Sequence, residues 1–169
     1  MKEVVYARLD SPVGRVWVAA TEMGVCKISL GSEHSGAFLT WLSQHIGPGQ
    51  AYEDAELMTV AMAQLEEYFS GTRRAFDLPL DVHGTTFQRA VWSQVSRIPY
   101  GATASYGDIA QLVGKPKASR AVGAALGANP LPIVVPCHRV IGSDGSLVGF
   151  GAGLETKETL LQMEDAYPL

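Results

Sequence analysis

Short, mostly apolar segments bounded by turn residues occupy most of the first thirty residues. The segments are 4–9, 15–20 and 25–30, and turn residues separate them at 11–14 and at Gly24. Short apolar runs rich in Val, Ile and aromatic residues are typical of strands, and Gly and Pro favour tight turns. The pattern predicts a three-stranded antiparallel meander, with Cys26 packed inside its third strand.

Helical spacing of apolar residues follows these short runs. Segment 37–46 ends at the Gly-Pro-Gly of 47–49, and segment 56–69 ends before Gly71. The second of these predicted helices has an apolar stripe, which consists of Leu57, Ala61, Leu65 and Tyr68. Such stripes are typical of a face buried in the core. Segment 73–82 contains Pro79 and no helical period, which predicts a strand or a linker between two domains.

Short helices and glycine turns follow from residue 83. Thr85 or Thr86 can cap a helix, Ser105 can cap the next over 106–113, and Thr156 can cap the last. A slim helix of small residues is predicted over 117–128. We therefore expect an α+β chain with two domains. Residues 1–82 form a supporting α/β domain with a small antiparallel sheet, and residues 83–169 form a mostly helical domain.

Composition places the chain among globular proteins. Of 169 residues, 47% are hydrophobic and 18% are charged, which is too apolar for disorder. Neither a leader-like start nor an apolar run of about 18 residues, the length of a membrane helix, is present. The two cysteines, Cys26 and Cys137, imply no disulfide framework. We expect a monomeric cytoplasmic protein without a membrane association.

Charge is distributed unevenly along the chain. The net charge is -5 over residues 1–82, +4 over 83–120 and -3 over 121–169. The basic block coincides with the helix pair 106–113 and 117–128, and Lys117 and Arg120 lie on the second helix. A helix-turn-helix that binds phosphates and shape is one interpretation, and an ordinary pair of packed helices is the other.

Cys137 carries the clearest chemical signal. It follows Pro136 and precedes His138 and Arg139, whose charges would lower the pKa of the thiol. A buried structural cysteine is the alternative interpretation. Adjacent side chains on extended backbone point apart, so a bridging water would join the thiol to His138.

Two further features surround this cysteine. The spacing of Glu164 from Leu160 and Leu161 places its carboxylate on the apolar face of the last helix, where it would need a partner such as His138 or Arg139. The segment 141–154 is rich in glycine, which allows close approach to a ligand but also suits a flexible surface loop.

Residues 136–139, together with Asn129-Pro130 and the glycine-rich run 149–154, resemble the active-site signature of the O6-alkylguanine-DNA alkyltransferases, also called methylated-DNA-protein-cysteine methyltransferases. The resemblance covers residues 86–164, and the N-terminal part is similar in layout only. It implies that Cys137 takes an alkyl group from the oxygen of a damaged guanine flipped out of duplex DNA. The partner is then double-stranded DNA with alkylated bases, and O4-alkylthymine is a second candidate substrate.

The resemblance also implies residue roles. His138 would deprotonate Cys137 through a water, Glu164 would polarise His138, Tyr106 would lie beside the rotated base, and Asn129 would shape the site. Arg120 would fill the vacated base stack. Further DNA-binding residues would be Lys117, Ala118, Ser119, Ala121 and Gly123, and the substrate pocket would contain Leu126, Val140, Ser143, Phe150, Gly151 and Ala152. The family commonly has tyrosine at the position of Phe150, so a hydroxyl is lost there.

Attack of a thiolate on an alkyl carbon gives a thioether, which has no ready hydrolytic exit. The protein should therefore act once. Two alternatives stay open: a DNA-damage sensor without alkyl transfer, and a cysteine hydrolase that turns over. The candidate metal ligands Cys26, His34, His45 and His83 lack short ligand spacing, so neither a metal nor a cofactor is expected.

Overall fold

The structure, a computed structural model, describes residues 3–31 and 35–166. The chain divides into two compact units, and the boundary lies between His83 and Gly84. Each unit has its own set of elements. None of the helices in the described ranges has the length and apolar character that crossing a bilayer requires.

The first unit is built on the predicted meander, which is confirmed. Strands β1 (Val4–Ser11), β2 (Gly14–Thr21) and β3 (Gly24–Leu30) pair antiparallel in that order. A short strand that the sequence did not predict, β4 (Ala51–Glu53), pairs parallel with β1 and completes the order β3-β2-β1-β4. Every residue of β3, Cys26 included, is buried.

Two helices accompany this sheet. They are α1 (Ser35–His45) and α2 (Thr59–Phe69). Leu57 was wrongly placed on the buried stripe, because α2 begins two residues later and Leu57 is 65% exposed. Segment 73–82 is mostly irregular. Its Pro79 carbonyl accepts the backbone N–H of Val25 at 2.9 Å, so this segment is fixed at the edge of β3.

The second unit contains four helices among the described residues. They are α3 (Thr86–Val95), α4 (Tyr106–Leu112), α5 (Ser119–Gly127) and α6 (Leu154–Met163). Thr85 and Ser105 cap α3 and α4 through complete capping boxes. The prediction that Thr156 caps the last helix was wrong, because Gly153 with φ of 99° is the N-cap and Thr156 lies inside α6.

A two-stranded parallel sheet positions Tyr106 and the turn that carries Cys137. Strand β5 (Ala104–Ser105) leads directly into α4, and β6 (Val140–Ile141) leaves the 3₁₀ turn Cys137–Arg139. Their pairing joins Ala104 to Val140 and Ser105 to Ile141. The first turn of α4, and with it Tyr106, is therefore held beside the cysteine.

Candidate active site

Cys137 lies in a pocket of the second unit. The residue is 7% exposed, and the cavity has a volume of about 740 Å³. Side chains and backbone from α4, α5 and the glycine-rich loop line it. The lining residues are Tyr106, Gly107, Ser119, Arg120, Gly123, Leu126, Gly127, Cys137, Gly142, Ser143, Val148, Gly149, Phe150 and Gly151.

The backbone at the cysteine differs from the sequence prediction. Cys137–Arg139 is a 3₁₀ turn and not an extended segment. Asn129 holds the approach to this turn, because its Nδ2 donates to the Val135 carbonyl and its Oδ1 accepts the Leu131 N–H, both at 2.9 Å. Ile133, between these contacts, has φ of 76°, a left-handed conformation that is strained for a β-branched residue.

The electrostatics of the thiol also differ from the prediction. Burial raises the pKa of Cys137, and a hydrogen bond from Asn129 and the charge of Lys157 act against that rise. Arg139 does not serve the thiol, because its guanidinium is bonded to Glu164. The sequence therefore named the wrong cation.

Lys157 is the functional candidate that sequence reasoning missed. It is fully buried on α6, and its Nζ donates to the carbonyls of Val140 at 2.6 Å, Val148 at 3.0 Å and Gly149 at 3.4 Å. Burial lowers its pKa to about 8, and the charge of Cys137 opposes this change. Lys157 precedes Leu160 by three residues and Leu161 by four, so helical spacing places it on the same apolar face as Glu164. That signal for burial was present in the sequence, but it was applied only to Glu164.

His138 and Glu164 meet as expected. His138 Nε2 lies 2.7 Å from Glu164 Oε2, and both side chains are buried. The predicted choice between His138 and Arg139 as the partner of Glu164 is resolved, since both bind this carboxylate. Burial lowers the pKa of His138, which favours the neutral imidazole. Its Nδ1 has no hydrogen-bond partner among the described residues.

Tyr106 forms one wall of the pocket. Its hydroxyl donates to the Val148 carbonyl at 2.6 Å, and burial raises its pKa. Of the residues that the resemblance implies for the substrate pocket, Leu126, Ser143, Phe150 and Gly151 line this cavity. Two other predicted pocket residues do not line it. Val140 is fully buried and supplies the carbonyl that accepts from Lys157, and Ala152 is half-buried in the loop.

The basic block lies on the surface. Its side chains are all exposed: Arg89, Arg97, Lys115, Lys117 and Arg120. Arg120 and Ser119 begin α5 and line the pocket mouth, whereas Lys117 and Ala118 precede the helix, and Ala121 is exposed on it. A Cβ at Gly123 would lie 3.8 Å from the Tyr106 ring, which is an ordinary van der Waals distance, so the packing of α5 on α4 leaves room for a methyl group here.

The candidate metal ligands do not form a cluster in the described ranges. Within them, no three His, Cys, Asp or Glu side chains are placed to hold a metal ion. His34 lies outside the described residues. His83 pairs instead with Asp81, with 2.9 Å between His83 Nε2 and Asp81 Oδ1.

Comparisons with known proteins cover nearly the whole chain. The family model for the 6-O-methylguanine DNA methyltransferase DNA binding domain matches residues 86–166, and the model for the ribonuclease-like domain of the same proteins matches residues 4–82. A methylated-DNA–protein-cysteine methyltransferase from Methanosarcina acetivorans is 43% identical, over 94% of this chain and 97% of that protein.

Two further relatives agree with this. The constitutive methylated-DNA–protein-cysteine methyltransferase of Bacillus subtilis is 41% identical over 94% of either chain. The crystal structure of Mycobacterium tuberculosis OGT in complex with DNA superimposes with a TM-score of 0.83 at 38% identity, over 97% of this chain and 95% of that one.

Proposed function

The chain belongs to the O6-alkylguanine-DNA alkyltransferase family, and we propose that Cys137 is the residue that accepts the alkyl group. Its function is direct-reversal DNA repair by alkyl transfer to a cysteine, the activity for which its relatives are named. One observation supports the assignment of the residue. Cys137 lies in the pocket and directly precedes His138 in the chain. The buried His138 contacts Glu164 through Nε2, and its Nδ1 has no hydrogen-bond partner among the described residues.

Proton transfer comes first. The thiol is protonated at neutral pH, because burial raises its pKa, whereas His138 is neutral, because burial lowers its pKa. The thiol proton passes to His138 Nδ1 through one bridging water, and Glu164 stabilises the imidazolium. Lys157 is the buried cation near the resulting thiolate.

Alkyl transfer then proceeds by displacement. The sulfur forms a bond to the alkyl carbon while the bond from that carbon to O6 breaks, and guanine departs as an anion. Overall, the thiol proton replaces the alkyl group on guanine, so that neither an oxidant nor a cofactor enters the balance. The thioether does not hydrolyse, and each protein molecule is consumed by one transfer.

The target base reaches the pocket by leaving the duplex. Extrusion costs a few kcal/mol of stacking and pairing, and less for a lesion that pairs poorly. We assign Arg120, exposed at the start of α5 and at the pocket mouth, to the vacated stack. Helices α4 and α5 then act as a helix-turn-helix, with Lys117, Ala118, Ser119, Ala121 and Gly123 against the DNA. Tyr106 lies beside the extruded base.

The same assignment divides the chain by role. Residues 1–82 support the fold, and residues 83–169 bind DNA and accept the alkyl group. Both cysteines are free thiols, which suits a monomeric protein in the reducing cytoplasm. The substrate is double-stranded DNA with O6-alkylguanine, and O4-alkylthymine presents the same kind of alkylated oxygen.

Methyl transfer from labelled duplex DNA tests the proposal, and the other cysteine provides a matched control. Cys137→Ala should abolish transfer while lesion binding and the unfolding transition stay near those of the wild type. Cys26→Ala, a change to a buried thiol of the first unit, should transfer one methyl per folded molecule. Residual transfer in Cys137→Ala would refute the assignment. Binding without any transfer in the wild type would indicate a damage sensor, and repeated turnover would indicate a hydrolase.

A further inference from the structure

Arg139 is a buried cation that the transfer steps above do not use. Its Nε donates to Glu164 Oε1 at 2.7 Å, and its Nη2 donates to Glu164 Oε2 at 3.1 Å. Its Nη1 donates to the Ile98 carbonyl at 2.7 Å, and the guanidinium lies 5.7 Å from the centre of the Tyr100 ring. Three hydrogen bonds therefore fix this side chain, and the two to Glu164 form a bidentate pair that sets the plane of the carboxylate.

The same carboxylate determines where His138 carries its proton. An ionised carboxylate can only accept hydrogen bonds, so the short contact of 2.7 Å requires a hydrogen on His138 Nε2. In the neutral ring, Nδ1 is then the nitrogen with a free lone pair. That atom is buried and has no partner among the described residues, so it is available to a proton from the thiol side.

Without Arg139, the buried Glu164 would lose the guanidinium charge and the two hydrogen bonds that compensate for its burial. Burial of an uncompensated charge is costly, so a proton would move into the pair. A proton on the imidazole would place hydrogens on both ring nitrogens. A proton on Glu164 would turn it into a donor and shift the histidine hydrogen to Nδ1. Either change removes the acceptor at Nδ1.

We propose that Arg139 is a positioning residue that keeps Glu164 ionised and His138 neutral, with its hydrogen on Nε2. This inference rests on the proposed role of His138 as the base. The charged groups that act on His138 are Arg139 of its own turn and Lys157 and Glu164 of the last helical segment, and the titratable Cys137 is its neighbour in that turn. Lys157 is bonded to backbone carbonyls, whereas Arg139 contacts the carboxylate that His138 uses.

Nitrogen NMR of the full chain labelled with ¹⁵N-histidine tests the proposal without DNA. His138→Gln identifies the His138 signals. In the wild type, His138 should be neutral at pH 7 with its hydrogen on Nε2. Arg139→Met should raise the pKa of His138 by about one to three units, the usual effect of an unbalanced neighbouring charge, or shift the hydrogen to Nδ1. Arg139→Lys, which keeps the charge, should retain the wild-type state.

A double variant isolates the charge on Glu164. Arg139→Met combined with Glu164→Gln removes both charges, and His138 should again be neutral. If Arg139→Met does not fold, Arg139→Gln replaces it with the same expected change, since an amide still donates to Glu164. An unchanged ionisation and tautomer in the neutral variants would overturn the proposal. Where Arg139→Met raises the pKa of His138, a double variant with an equally raised pKa would overturn it as well.

The pH profile of methyl transfer provides a second readout. Where Arg139→Met raises the pKa of His138, the acid limb of the profile should move to higher pH by the same amount. Arg139→Lys should keep the acid limb of the wild type. Where the pKa is raised, a loss of rate by the same factor at every pH would contradict the proposal. Absence of transfer in the wild type would refute the proposed function instead, and the NMR result would still decide the effect of Arg139 on His138.

Discussion

The two units bury different polar side chains in the part of the chain that the structure describes: Thr21, Lys27, Ser29 and Gln64 in the first, and His138, Arg139, Lys157 and Glu164 in the second. In the first unit, some of these side chains form hydrogen bonds to another segment of the chain. Gln64, for example, exchanges hydrogen bonds of 2.9 Å with the backbone of Asp77. Those of the second unit are all ionisable.

The cores differ in the same way. The first unit packs aromatic rings, with ring centres of Trp17 and Phe38 at 5.6 Å and of Tyr6 and Phe38 at 5.9 Å. The second unit buries a carboxylate, a guanidinium, an imidazole and an ammonium around the turn that carries Cys137. Burying charges is costly even when they are paired, and clusters of this kind are concentrated at functional sites. The difference favours the proposed division, in which the first unit supports the fold and the second carries the chemistry.

Removal of the Glu164 carboxylate should have the largest effect on stability and on the transfer rate. Glu164→Ala leaves the Arg139 guanidinium buried and unpaired, which should cost about 3–5 kcal/mol of the free energy of unfolding. Loss of general-base support should also slow methyl transfer by about 10²–10⁴-fold. Urea titration and single-turnover kinetics measure both. Glu158→Ala, a change to an exposed carboxylate on the same helix, should have little effect on either, and equal losses in the two variants would contradict a special role for Glu164.

A substitution that creates a cavity in the first unit should lower stability without changing the transfer chemistry. Leu65 on α2 is fully buried, so Leu65→Ala should lower the free energy of unfolding by about 2–5 kcal/mol. The transfer rate of the folded fraction should stay unchanged, because no proposed catalytic group lies in this unit. Leu57→Ala, at a residue 65% exposed, is the control and should be near neutral. A slower transfer by folded Leu65→Ala would break the division between the units.

Exposed and buried cations of the second unit should also differ. Arg120→Ala should slow repair in duplex DNA by about 10–100-fold, since an inserted side chain offsets a few kcal/mol of unstacking. Reaction with free O6-methylguanine should change little. Arg97→Ala, at another exposed arginine, is the matched control. Equal losses of Arg120→Ala on duplex and free base would remove the assignment of Arg120 to the vacated stack.

The smallest expected effect concerns Lys157. Its ammonium is protonated below a pKa of about 8 and loses its charge above it, so any rate that depends on this charge should decline as the pH rises past that value. Lys157→Met should be about tenfold slower at pH 7, equivalent to a thiol pKa one unit higher, and should lack that decline. Lys27→Met, at a buried lysine of the first unit, should keep the wild-type profile. Identical profiles for Lys157→Met and the wild type would contradict the role.

Local signals in the sequence predicted most of the fold. The short apolar runs and the turn residues between them over residues 4–30 were sufficient for the meander, and Thr85 and Ser105 were found as caps because an N-cap is a local interaction. Strand β4 was not predicted, since three residues carry no period and depend on the partner strand. Gly153 as the N-cap of α6 requires a positive φ that spacing does not reveal.

The site was predictable where residues are adjacent in the chain. Cys137 and His138 stand side by side, and the helical spacing of Glu164 indicated burial. The partners of Arg139 and Lys157 depend on tertiary contacts across 25 residues in one case and 17 in the other. A charge beside a cysteine in sequence was therefore assigned to the thiol, although the fold directs Arg139 toward Glu164 and brings Lys157 close to Cys137.

Peptide mass spectrometry after incubation with duplex DNA containing O6-methylguanine tests the central claim most directly. We predict one added methyl group on the peptide that contains Cys137, reaching one per protein molecule and no more, with the Cys26 peptide unmodified. A methyl group on another residue, or lesion binding that leaves Cys137 unmodified, would contradict the assignment of Cys137 as the acceptor.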